Sequence, residues 1–105
     1  MGTSIDLHED RSVRVTVGEL LEVRLLEQSG GGYLWSRVGV LPAGLSEVAQ
    51  HRIPGESGVG AASTRVFVFS CTAEAIVDLH FTLARPWQPD RVEEERVLHA
   101  VCVRK

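Results

Sequence analysis

The sequence predicts an all-β fold, and three observations predict it. Apolar and polar residues alternate with a period of two in run after run, the spacing that a half-buried strand needs. No stretch carries a convincing helical stripe. Clusters of glycine, proline and serine divide the runs at short intervals.

The first run is 12-SVRVTV-17, where Val13, Val15 and Val17 face one way and Ser12, Arg14 and Thr16 the other. Gly18 marks a turn or bulge, and 19-ELLEVRLLE-27 resumes the pattern, with Leu21, Val23 and Leu25 alternating with Glu22 and Arg24. Leu21 and Leu25 are also four apart, as on a helix, but the alternation favours a strand. Next comes 33-YLWSRVGV-40, aromatic and β-branched at its centre, followed by turn chemistry in 41-LPAGLS-46 and a more polar strand, 47-EVAQHRI-53. The segment 54-PGESGVGAAS-63 has almost no apolar bulk and reads as a long loop. The run 65-RVFVFSC-71 is apolar on both faces, as in a central strand. In 76-IVDLHFTLA-84, Val77, Leu79, Phe81 and Leu83 oppose Asp78, His80 and Thr82. Two prolines and an acidic cluster in 85-RPWQPDRVEEER-96 break that alternation, and 97-VLHAVCV-103 is a last strand. Seven to eight short strands in 105 residues leave no room for helical crossovers. The expectation is one domain, residues 1–105, built as an immunoglobulin-like antiparallel β-sandwich.

Composition narrows the function. A net charge of -3 argues against nucleic acid as the main partner. No run approaches the ~20 apolar residues that span a bilayer. The start, 1-MGTSIDLHED-10, has neither a basic region nor an apolar core, so no leader is expected. That leaves a cytoplasmic protein or the mature form of a secreted or periplasmic one. Cys71 and Cys102 each end a strand-like run; a bridge between them is possible, but free, buried thiols are the expectation.

Catalysis and metal binding find little support. His8, His51, His80 and His99 and the two cysteines are scattered along the chain with no Cys-x-x-Cys or His-x-x-x-His pair, so no metal is expected. Cys71 or Cys102 paired with His80 or His99 lacks any local nucleophile signature. The acidic run 93-EEE-95 reads as a solvated turn. The glycines of 58-GVGAAS-63 lack the helix start and the Lys-Ser/Thr of a phosphate-binding loop. No cofactor or catalytic residue is assigned, and the chain is not read as an enzyme.

What remains is three loops of small or rigid residues, the first and third of which carry aromatics: 28-QSGGGYLW-35, 55-GESGVGAAS-63 and 85-RPW-87. Loops at one end of a sandwich can form a joint binding edge. Glycine and alanine let backbone approach a partner closely, while Trp87 beside Arg85 has the composition of a binding hot spot. Trp35, two residues after Tyr33 within a strand, is assigned to packing.

The three loops, in this order, resemble those of the chagasin-type inhibitors of papain-like cysteine peptidases. That family carries an Asn-Pro-Thr-Thr-Gly-aromatic-x-Trp loop, a Gly-x-Gly-Gly loop and an Arg-Pro-Trp or Arg-Pro-Phe loop on an immunoglobulin-like sandwich. Here Gly32, Tyr33 and Trp35 match the first loop; 58-GVGA-61 or 60-GAAS-63 takes the second place, and 85-RPW-87 matches the third. The early 17-VGEL-20 fits as well. The resemblance implies a monomeric, reversible, tight-binding inhibitor of a cathepsin-L-like peptidase. Its contacts would come from Ser29, Gly30, Gly31, Gly32, Tyr33, Gly58, Gly60, Ala61, Ala62, Arg85, Pro86 and Trp87. The first loop would sit at the catalytic cysteine, the second would run along the cleft, and the third would pack on the far side. Gln28, Ser29, Gly30 and Gly31 stand where the family has Asn-Pro-Thr-Thr. Each added glycine costs roughly 0.5–1 kcal/mol of ordering. The alternative is a protein-binding module on the same scaffold that does not inhibit peptidases.

Overall fold

The computed structural model describes residues 2–28, 31–55 and 62–105. Eight strands follow one another: β1 (Gly2–Asp6), β2 (Arg11–Thr16), β3 (Leu20–Glu27), β4 (Leu34–Val38), β5 (Leu45–Ile53), β6 (Ser63–Cys71), β7 (Ala75–Arg85) and β8 (Gln88–Val103). They form two four-stranded sheets, ordered β1-β3-β6-β5 and β2-β8-β7-β4. The all-β sandwich expected from the alternation is therefore present.

The alternation also fixes what lies between the sheets. Leu21, Val23 and Leu25 of β3 and Phe67, Phe69 and Cys71 of β6 face Val77, Leu79, Phe81 and Leu83 of β7 and Leu98, Ala100 and Cys102 of β8, all buried. Phe67 and Phe81 meet across the layers with ring centroids 5.0 Å apart and tilted planes, a favoured aromatic arrangement. Trp35 is 3% exposed and belongs to this core, as its position in a strand predicts.

Four features depart from the sequence reading. The strand pairs inside each sheet are antiparallel, but the edge pairs β1–β3 and β2–β8 are parallel. No helical crossover is required, because the chain passes through β2 in the opposite sheet on its way from β1 to β3. β1 itself is an unexpected strand: it is short and mostly polar, and only Ile5 reaches the core. The expected break over 85–96 is instead a hairpin in which β7 runs to Arg85, Pro86 and Trp87 turn the chain, and β8 begins at Gln88. Its register slips between Leu83 and Arg85, and Pro89, Asp90 and Arg91 bulge out between the partners of Ala84 and Arg85. The bulge absorbs the proline and the charges. Glu93, Glu94 and Glu95 are accordingly exposed strand residues, not a turn.

The cysteines are not free. Cys71 and Cys102 form a disulfide between β6 and β8, with Cα atoms 5.9 Å apart, so the bond joins the two sheets. It lies where β6 ends and β8 nears its end, at the pole away from the loops described next.

Candidate functional site

Six strand ends meet at one pole of the sandwich. In the first sheet Glu27 pairs with Ser63 and Ile53 with Thr64; in the second Leu34 pairs with Ala84 and Arg85 with Gln88. The stems of the three loops singled out in the sequence therefore leave the same rim. Of the predicted contact residues, Gly31, Gly32, Tyr33, Ala62, Arg85, Pro86 and Trp87 are described, whereas Ser29, Gly30, Gly58, Gly60 and Ala61 lie outside the described residues.

The first and third loops are locked together. Arg85 donates from Nε to the carbonyl oxygen of Gly31 at 2.6 Å, and its guanidinium stacks over the Tyr33 ring, 4.6 Å from the centroid. The same guanidinium lies 6.0 Å from the centroid of the Trp87 ring. The indole presses against Gly32, where a Cβ atom would come within 2.4 Å of the ring. Gly32 also has φ +77°, a conformation that residues with side chains rarely adopt. Only glycine fits there, on two independent grounds. A charge-assisted bond and an aromatic contact thus restore order that a run of glycines would otherwise lose.

Trp87 nevertheless remains 66% exposed. The rim therefore presents an indole face, a guanidinium and glycine backbone to solvent, with Pro86 beside them. Two hollows flank this ridge. One, of about 320 Å³, is lined by Leu34, Val38, Gln50, Arg65, Arg85 and Pro86 among others. The other, about 290 Å³, is bounded by Gln28, Tyr33, Leu83, Glu93 and Glu94. A ridge between hollows suits entry into a partner's cleft better than enclosure of a small ligand.

Beneath the ridge lies a residue that the sequence reading passed over. Glu27 is 2% exposed, and its carboxylate accepts hydrogen bonds from the Trp35 backbone N–H at 2.8 Å and from Arg65 Nε and Nη2 at 3.3 and 3.0 Å. The indole Nε1–H of Trp35 donates back to the Leu26 carbonyl at 2.9 Å. The signal was available: Glu27 continues the inward phase of Leu21, Val23 and Leu25, where a charged residue must find partners.

Other groups weighed for chemistry lie elsewhere. With their sulfurs bonded to each other, Cys71 and Cys102 carry no thiol. His80 and His99 are exposed on the outer face of the second sheet, where His99 Nδ1 contacts Asp78 Oδ1. Among the described residues, no group of three or more His, Cys, Asp or Glu side chains is arranged to hold a metal ion.

Comparison with known proteins agrees with the fold. The family described as Chagasin family peptidase inhibitor I42 matches residues 14–101. The cysteine protease inhibitor EhICP2 from Entamoeba histolytica superposes with a TM-score of 0.78 at 16% identity, covering 96% of each chain. PbICP-C, solved in complex with falcipain-2, gives 0.79 at 15% identity over 97% of this chain and 100% of its own. Amebosin gives 0.68 at 17% identity over 95% and 98%. These solved structures share the fold; no curated protein matches by sequence.

Proposed function

This chain belongs to the chagasin family of peptidase inhibitors, and we propose that it is a reversible, tight-binding inhibitor of papain-like, cathepsin-L-type cysteine peptidases. It acts as an inhibitor and not as an enzyme. The rim enters the active-site cleft as a wedge, acting as a monomer. The loop holding Ser29, Gly30, Gly31, Gly32 and Tyr33 lies over the catalytic cysteine. The loop with Gly58, Gly60, Ala61 and Ala62 runs along the cleft, and Arg85, Pro86 and Trp87 pack against its far wall.

The observation that carries this reading is the exposed Trp87 indole, seated on Gly32 beside the bond from Arg85 to Gly31. A narrow cleft admits backbone with minimal side chains, and a fixed aromatic anchor supplies the largest contact at the least entropic cost. No bond to the catalytic thiol forms. The wedge resists cleavage because the sandwich holds its backbone out of attack geometry.

The test is a panel of papain-family peptidases titrated with the purified protein. Inhibition of at least one in the nanomolar to micromolar range is expected, and full activity of all of them at high micromolar inhibitor would overturn the proposal. Capture of a non-peptidase partner through the same loops would instead favour a binding module.

A further inference from the structure

We infer that Glu27 and Arg65 are positioning residues that couple the stems of the first loop to the exit stem of the second, so that the stems of the three loops form one fixed base for binding a partner. The inference rests on the inhibitory reading above but centres on a carboxylate that the partner would not touch, since Glu27 is almost fully buried, whereas Arg65 borders the hollow beside the ridge with 18% of its side chain exposed.

Topology creates the need for such a device. The first loop starts on β3 in one sheet and ends on β4 in the other. Its two stems share no ladder, and the loop could splay as the sheets move apart. The Glu27 carboxylate closes it: Oε2 takes the Trp35 amide N–H, while the Trp35 indole returns a bond to the Leu26 carbonyl. Two opposed hydrogen bonds thus latch the stems across the sheets.

The same carboxylate reaches the second loop. Arg65, two residues into β6, spans both carboxylate oxygens, a fork geometry that lysine cannot reproduce. Ser63, the first residue of β6, donates from Oγ to the Glu27 carbonyl at 3.5 Å. The exit stem of the second loop is therefore bonded to the entry stem of the first through both backbone and side chain of one residue. With Arg85 and Trp87 already joining the first loop to the third, the three form a linked series. The first is bonded to both of the others.

A buried carboxylate is expensive to desolvate and contributes little net stability even when paired. Leu21, Val23 and Leu25 show that this inward row takes aliphatic residues elsewhere. Direction explains the choice of Glu at its end. A leucine would fill the space but could not hold three donors from two sheets in fixed positions.

The test uses the full chain with E27Q and R65K, against whichever peptidase of the proposed panel the parent inhibits most strongly. E27Q keeps the shape and one acceptor but removes the charge; R65K keeps the charge and removes the fork. The expected result is dissociation about tenfold faster with association within about twofold of the parent, as lost preorganisation predicts. In the free protein, amide hydrogen exchange should quicken at Trp35 and Thr64 and stay unchanged around Cys71. A merely structural role would lower the melting temperature while leaving the inhibition constant of the folded protein alone. Folded variants with unchanged inhibition and exchange would overturn the inference while leaving the inhibitory function intact. If E27Q does not fold, R65K decides. If the parent inhibits nothing, the inhibitory reading fails separately, and the exchange data alone decide whether the stems are coupled.

Discussion

The two ends of the sandwich are held by different kinds of bond. At the far pole the ties are covalent and main-chain. The cystine joins the sheets, Gly18 N–H donates to the Cys71 carbonyl, Cys71 N–H to Glu19, and Thr72 N–H to Gly44, all at 2.8–3.1 Å. At the loop rim the ties are side chains: Glu27 to Arg65 and Trp35, Arg85 to Gly31, Trp87 to Gly32. Backbone ties make a scaffold but leave its edges consumed. Side-chain ties leave the glycine backbone and one aromatic face open to a partner. The difference teaches that rigidity at one end permits exposed, glycine-rich chain at the other.

The comparison can be broken at either pole. The largest effect is expected from replacing both Cys71 and Cys102 with alanine. Closing a loop with a sequence separation of 31 is worth about 3–4 kcal/mol of stability. Calorimetry should show a melting temperature lower by more than about 10 °C. Inhibition measured well below that temperature should persist, because the rim has its own ties. Trp87→Ala should do the reverse, weakening inhibition by about 2 kcal/mol, roughly thirtyfold, with the melting temperature nearly unchanged. Loss of stability on removing this exposed ring would mean that the poles are not separable. Gly32→Ala touches both properties. Positive φ and the close indole contact should cost about 1–2 kcal/mol of stability and shift Trp87, read as a lower melting temperature and a changed tryptophan emission. The smallest effect belongs to Glu74→Ala, whose partner Arg104 is 80% exposed at the side chain. Denaturant unfolding should change by less than about 0.5 kcal/mol.

Most of the fold could be read because its core strands obey one rule. Val13, Val15 and Val17, or Val77, Leu79, Phe81 and Leu83, alternate cleanly because one face of each strand meets the core. β1 and the first half of β8 could not be read for the converse reason. Residues 89–95 are exposed on both faces; Val92, Glu94 and Glu95 pair with β7 while Pro89, Asp90 and Arg91 bulge out, so no apolar pattern is required. The cystine was ambiguous because its partners lie on different sheets, and no local spacing encodes that pairing. At the rim, the Arg-Pro-Trp turn and the glycines announced an exposed binding edge by their residue types. The contacts joining them did not: that Arg85 would find Gly31, 54 positions away, follows from strand register alone.

The seat of Trp87 on Gly32 has a consequence for how such sequences can vary. Two positions far apart in the chain share a single small volume, so position 32 cannot gain a side chain while the indole stays in place. A smaller residue at 87 removes one of the two barriers at 32 and leaves the cost of its positive φ, so the constraint runs from 87 to 32 and not the other way. Randomising both positions at once and recovering folded binders would show whether the permitted combinations trace that shared space.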